Sequence, residues 1–163
     1  MEVLIAAIIT GGIAILALMH YSLEARRVHV RETEQFYLKR YWELLDRLPP
    51  EALADDFTGP KILSDGMKVT SLLYLRVSED LCEMRRQGNI SDRTWRLRCT
   101  AMNNQIRRWP MIRLWAEVRD GKQFPLLGKL TANPDKYQPC ELNILHRYWL
   151  GLTRPLFGPK IPE

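Results

Sequence analysis

The run from Val3 to Met19, VLIAAIITGGIAILALM, holds no charged side chain, and continuing to Leu23 adds only His20, Tyr21, Ser22 and Leu23 itself. These 21 residues constrain the chain more than any other feature. A helix of about 20 apolar residues, rising about 1.5 Å each, matches a hydrocarbon core of about 30 Å. A removable leader would instead carry a basic segment, a shorter apolar stretch and a small-x-small cleavage site. The only charged side chain ahead of the run is Glu2, and no Ala-x-Ala follows it. The sequence therefore predicts a transmembrane anchor over residues 1–23.

Lys and Arg near the ends of a span favour the cytoplasmic side. None precedes this run, whereas Arg26, Arg27, Arg31, Lys39 and Arg40 follow it. The predicted topology is single-pass, with the N-terminus outside and the remaining chain cytoplasmic. Within the span Ala7 and Gly11 form a small-xxx-small pair that would let a second helix approach. They are candidate intramembrane packing residues, with simple lipid exposure as the alternative.

Beyond the span there is enough chain for one compact domain and too little for two. That part carries 24 basic and 18 acidic side chains, a formal +6. Such an excess beside a bilayer suits anionic headgroups or nucleic acid, and it equally suits an ordinary solvated surface. Three cysteines, Cys82, Cys99 and Cys140, form no C-x-x-C and accompany no ligand-spaced His pair, so neither a disulfide framework nor a zinc site is predicted.

Residues 24–48 continue as a juxtamembrane helix, with Phe36, Tyr37, Tyr41, Leu44, Leu45 and Leu48 at spacings of three and four. Pro49-Pro50 ends it. After a connector, a helix over about 65–87 is capped by Ser64 or Asp65, and its apolar stripe is Val69, Leu73, Val77, Leu81 and Met84. Gly88-Asn89 supplies its left-handed end. Ser91 opens a third helix over about 92–109, with Trp95, Cys99, Met102, Ile106 and Trp109 on one face. So short a link predicts an antiparallel helical hairpin that brings Cys82 and Cys99 near each other. Pro110 interrupts this helix or starts a short one with Met111, Leu114, Trp115 and Val118 on its apolar face. Residues 122–139 read as irregular, and a last helix over about 140–150 turns Leu142, Leu145, Tyr148, Trp149 and Leu152 to the core. The predicted fold class is all-α: an N-terminal transmembrane helix, then a small helical bundle over residues 49–152, then a Pro-rich tail at 153–163.

The segment SLLYLRVSEDLCEMRRQGNISDRTWRLRC, followed by IRRWPMIRLWAEV, spans Ser71 to Val118. There a helix passes through an Arg-Arg-Gln-Gly-Asn-Ile-Ser turn into a Trp-bearing helix. In this the chain resembles small, uncharacterised bacterial and phage proteins with one N-terminal membrane span and a helical cytoplasmic domain of unknown function. The resemblance implies the same architecture and carries over no catalytic residue.

No glycine-rich phosphate loop is present, so no nucleotide cofactor is predicted. Of the three histidines only His146 lies well inside the domain, and the acidic pairs Asp55-Asp56 and Glu79-Asp80 lack further ligands at suitable spacing. The sequence predicts no catalytic residue, no cofactor, no metal and no enzyme. Its densest unusual feature is cationic and aromatic: Arg85, Arg86, Arg93, Arg96, Arg98, Arg107, Arg108 and Arg113 interleave with Trp95, Trp109 and Trp115. Periodicity turns Trp95 and Trp109 inward, which leaves Arg85, Arg86, Arg93, Arg96, Arg107 and Arg108 as a candidate anionic-partner face. The expected function is a membrane-anchored interaction or regulatory module with a protein partner at or in the same membrane. The alternative is a binder of nucleic acid or lipid headgroups.

Overall fold

The computed structural model describes residues 1–53, 62–119, 123–134, 136–150 and 152. All regular structure among them is helical: α1 (Glu2–Leu45), α2 (Pro50–Leu53), α3 (Asp65–Arg86), α4 (Asp92–Ile106), α5 (Met111–Val118), α6 (Pro125–Ala132) and α7 (Ile144–Trp149). The Pro-rich tail and Asp55-Asp56 lie outside the described residues.

Helix α1 runs unbroken for 44 residues, about 65 Å at about 1.5 Å per residue. Near the N-terminus it is long and apolar enough to cross a membrane, by length and composition. A buried core helix passes the same test, but 0% of the apolar window is buried here. Its second half is different. Val30, Leu44, Leu45 and Leu48 are buried, and Glu34, Tyr37 and Tyr41 are half-buried between them. These positions recur at three and four, so one stripe of α1 forms a wall of the core while its other side stays exposed.

Helices α3 and α4 dock on that stripe in opposite order. The α3 C-terminal turn lies by the apolar half of α1, where Arg26 donates to the Gly88 carbonyl (3.3 Å). Farther along α1, Tyr74 of α3 packs on Tyr41, ring centroids 5.7 Å apart. For α4 the Ser91 amide donates to the Glu34 carboxylate (2.7 Å), and later in the helix Arg98 lies over the Tyr41 ring, 5.1 Å from its centroid.

Sequence signals place the helix ends well. The Ser64 and Ser91 hydroxyls accept from the Met67 and Thr94 amides, each offsetting one unpaired first-turn donor. Gly88, at φ 75°, supplies the left-handed turn after α3. Pro110 stands immediately before α5, after α4 has ended at Ile106.

Three expectations need correction. The buried face of α3 is Thr70, Ser71, Tyr74, Leu75, Ser78, Leu81, Cys82 and Arg85, whereas Val69 is exposed. Small serines admit neighbouring helices closely, so the buried face is rotated from the most apolar stripe. Residues 125–132, read as irregular, form α6: Phe124, Leu127 and Leu130 are buried, Pro125 occupies a first helical position, and Glu79 accepts the Leu126 (2.9 Å) and Leu127 (2.7 Å) amides. That carboxylate comes from α3 and replaces the local cap that the sequence lacks. Finally, α7 is shorter than expected, and Leu145 and Tyr148 face outward while Leu152 is buried; the Trp149 side chain lies outside the described residues.

Candidate functional site

The arginine face divides into two structurally distinct groups. Arg85 does not belong to it: it is fully buried at the end of α3. Its guanidinium donates to Gln138 Oε1 (2.8 Å) and the Ile90 carbonyl (2.6 Å), and pairs with Asp92. Asp92 also accepts from Arg147 (3.2 Å). A buried cation is tolerable only when paired and hydrogen-bonded, and these partners satisfy both conditions. Arg85 thus fastens the α3–α4 link to Gln138 and, through Asp92, to Arg147, and is unavailable to an external anion.

Arg86 is exposed but compensated, with Nε and Nη2 each 2.8 Å from the Glu83 carboxylate and Nη1 3.4 Å from Glu141. Hydrogen bonds from Arg86 and Gln87 lower the pKa of Glu83 below the usual carboxylate value. Arg93, Arg96 and Arg107 are exposed and, among the described residues, make no ion pair. With Thr100 and Asn104 they follow the outer face of α4 at spacings of three and four. Arg108 is half-buried and engaged.

Next to this stripe is an open cleft of about 390 Å³, lined by Trp95, Arg96, Cys99, Pro134, Lys136 and Tyr137 among others. Trp95 is buried and donates Nε1–H to the Tyr137 carbonyl (3.3 Å), so its edge is committed to holding Tyr137 in place. A second cleft, of about 220 Å³, lies between α1 and α4 and is lined by Arg31, Glu34, Leu38, Thr94, Leu97 and Arg98 among others. One of its lining residues, Arg98, stacks on the Tyr41 ring. Burial is the main cause raising the Tyr41 hydroxyl pKa, with Arg98 opposing.

No catalytic constellation emerges from the described side chains. Cys82 and Cys99 are buried and form no disulfide among the described residues; the Cys99 thiol donates to the Pro134 carbonyl (3.4 Å), and burial, then Glu79 and Cys99, push the Cys82 thiol far above its ordinary value. Such a thiol is a poor nucleophile at neutral pH. Of the acidic pair Glu79-Asp80, Glu79 is occupied in capping α6. His146 is exposed, its backbone amide held by the Asn143 cap (2.7 Å). Among the described residues, no three His, Cys, Asp or Glu side chains gather in a metal-binding arrangement. Ala7 and Gly11 are exposed in the apolar half of α1.

The arginine clasp was missed in the sequence because its partners, Ile90, Asp92, Gln138 and Arg147, converge only in the fold. The chain matches no protein-family model, no curated protein and no solved structure at a significant level.

Proposed function

We propose that the chain is a single-pass membrane protein whose helical domain lies on the cytoplasmic side and serves as an interaction or regulatory module, as an accessory subunit of a membrane assembly. The observation that carries this reading is the continuity of α1. One helix supplies both the exposed apolar segment and a wall of the domain core. The domain is therefore held against the bilayer without a flexible linker. Arg26, Arg27 and Arg31 just after the span support the cytoplasmic placement. The outer side of the same helix exposes Val28, Phe36 and Trp42, a surface suited to a partner that shares the membrane. The opposite order of α3 and α4 along α1 supports the helical hairpin. The Ser71 to Val118 resemblance fits the same architecture.

Two measurements test this. An impermeant thiol reagent applied to intact cells should leave Cys140 unmodified until the membrane is opened; labelling from outside would reverse the topology. Native chain extracted in mild detergent should retain a stoichiometric protein partner. Folded chain that repeatedly emerged alone would remove the adaptor role.

The free arginines on α4 favour a second reading, an anionic-ligand surface of Arg93, Arg96 and Arg107. Phosphate contacts weaken steeply with salt. Binding of the detergent-solubilised chain to an oligonucleotide or to anionic vesicles should then fall across a salt series, and no binding at low salt would exclude the reading.

A further inference from the structure

Helix α7 is short, yet it exposes more apolar surface than a closing turn of a bundle needs. Ile144 and Leu145 are each 71% exposed and Tyr148 is 45% exposed. These three positions cover an arc of about 100° on a helix of 3.6 residues per turn. The other side of the segment is anchored. Arg147 donates to Asp92 (3.2 Å), the Leu152 carbonyl accepts the Asp92 amide (2.8 Å), and Arg86 reaches Glu141 (3.4 Å). Leu142 packs so closely on Gly88 that a Cβ there would lie 2.6 Å from its methyl carbon. The exposed face is thus rigidly presented.

Its position points to the occupant. Residues 141–150 and Leu152 close the end of the bundle formed by the α3–α4 link. That link is tied to α1 at Arg26 on one side and Glu34 on the other. These residues stand about 5 to 17 Å along the helix beyond Leu23, at about 1.5 Å per residue. The headgroup layer occupies roughly the first 5 to 8 Å outside the hydrocarbon, and interfacial helices insert their apolar faces there. Arg31 and Arg93, both exposed near the same end, supply charge complementary to anionic headgroups, while Arg27 there pairs with Glu24. Tyr148 is a residue type enriched at that level.

We infer that α7 is a second membrane contact: Ile144, Leu145 and Tyr148 dock on the lipid surface of the leaflet from which α1 emerges. The inference rests on α1 spanning the bilayer. Because the span already holds the domain at that surface, the contact is intramolecular in effect, and a patch too small to recruit a soluble protein suffices to fix its tilt.

Nitroxide labels test it in the full chain, reconstituted into nanodiscs of phosphatidylcholine and phosphatidylglycerol. Single cysteines are placed by Leu145→Cys, Tyr148→Cys, Ile112→Cys and Ile13→Cys in a Cys140→Ser background. The ratio of oxygen to nickel-chelate accessibility should be severalfold higher at 145 and 148 than at 112, an exposed site on α5, and highest at 13. Water-like ratios at 145 and 148 with an apolar ratio at 13 would overturn the docking and leave the span intact. A water-like ratio at 13 would overturn the span itself. Spin–spin broadening at 145 that vanishes on dilution with unlabelled chain would assign the patch to a second copy and overturn lipid docking.

Discussion

Replacing Arg85 with Met keeps most of the side-chain volume and removes the charge together with every polar contact the guanidinium makes. Three partners lose a donor: Gln138, the Ile90 carbonyl and Asp92. Gln138 is exposed and turns to water at little cost. Ile90 is fully buried, and a buried acceptor left unpaired costs about 1–3 kcal/mol. Breaking a buried ion pair from one side costs about 3–5 kcal/mol, but Asp92 is 21% exposed and keeps Arg147 at 3.2 Å, which places its share at the low end. The combined loss is about 4–6 kcal/mol, a large part of a typical stability of about 5–15 kcal/mol. At about 2–4 °C per kcal/mol for a chain of this size, the melting temperature should fall by about 8–24 °C. The assay is tryptophan fluorescence during thermal unfolding of the full chain in mild detergent. The control is Arg86→Met one residue on, whose ion pairs face solvent and whose removal should leave the melting temperature unchanged. Equal effects of the two substitutions, or a melting temperature for Arg85→Met within error of the natural protein, would refute the clasp.

Glu79→Ala removes the acceptor of two α6 amides; a lost cap costs about 0.5–2 kcal/mol, and amide exchange at residues 126 and 127 should accelerate more than in α4. Gly88→Ala forces a left-handed conformation on a residue with a Cβ and drives Leu142 away. It should destabilise by at least about 1 kcal/mol and free α7, seen as faster proteolysis near residue 142. In the native protein a maleimide should modify Cys140 quickly and Cys82 and Cys99 only after denaturation, since both are buried and the Cys82 thiol resists ionisation. Mass spectrometry of the labelled peptides reads this directly.

The parts of this fold legible in the sequence are those governed by local rules. Charge-free length marks the first half of α1, prolines and serine caps mark the helix ends, and the stripe from Trp95 to Ile106 is buried as its spacing predicts. What escaped depends on partners far along the chain. Helix α6 looks like a loop because its cap, Glu79, comes from another helix. Arg85 looks like surface because nothing near it in sequence shows that Ile90, Asp92 and Gln138 converge on it. Apolar character alone also misled at Leu145 and Tyr148. Hydrophobic spacing cannot distinguish a face turned to the core from one turned outward.

That ambiguity bears on how such a protein uses its membrane. In a soluble domain an exposed Ile-Leu-Tyr face is an aggregation hazard, and the simplest remedy is to bury it or make it polar. Beside a bilayer the remedy is position. On the proposed reading, a 44-residue helix that is both anchor and core wall fixes the height of every other element, so a face that would be harmful elsewhere would rest against lipid. The same rigidity has a cost in freedom: the domain cannot swing to search for distant partners. On the proposed reading a partner reaches it within the membrane plane, where the exposed Phe36 and Trp42 of α1 and the arginines Arg93 and Arg96 of α4 would stand at different heights above the bilayer and could be read by different parts of one neighbour.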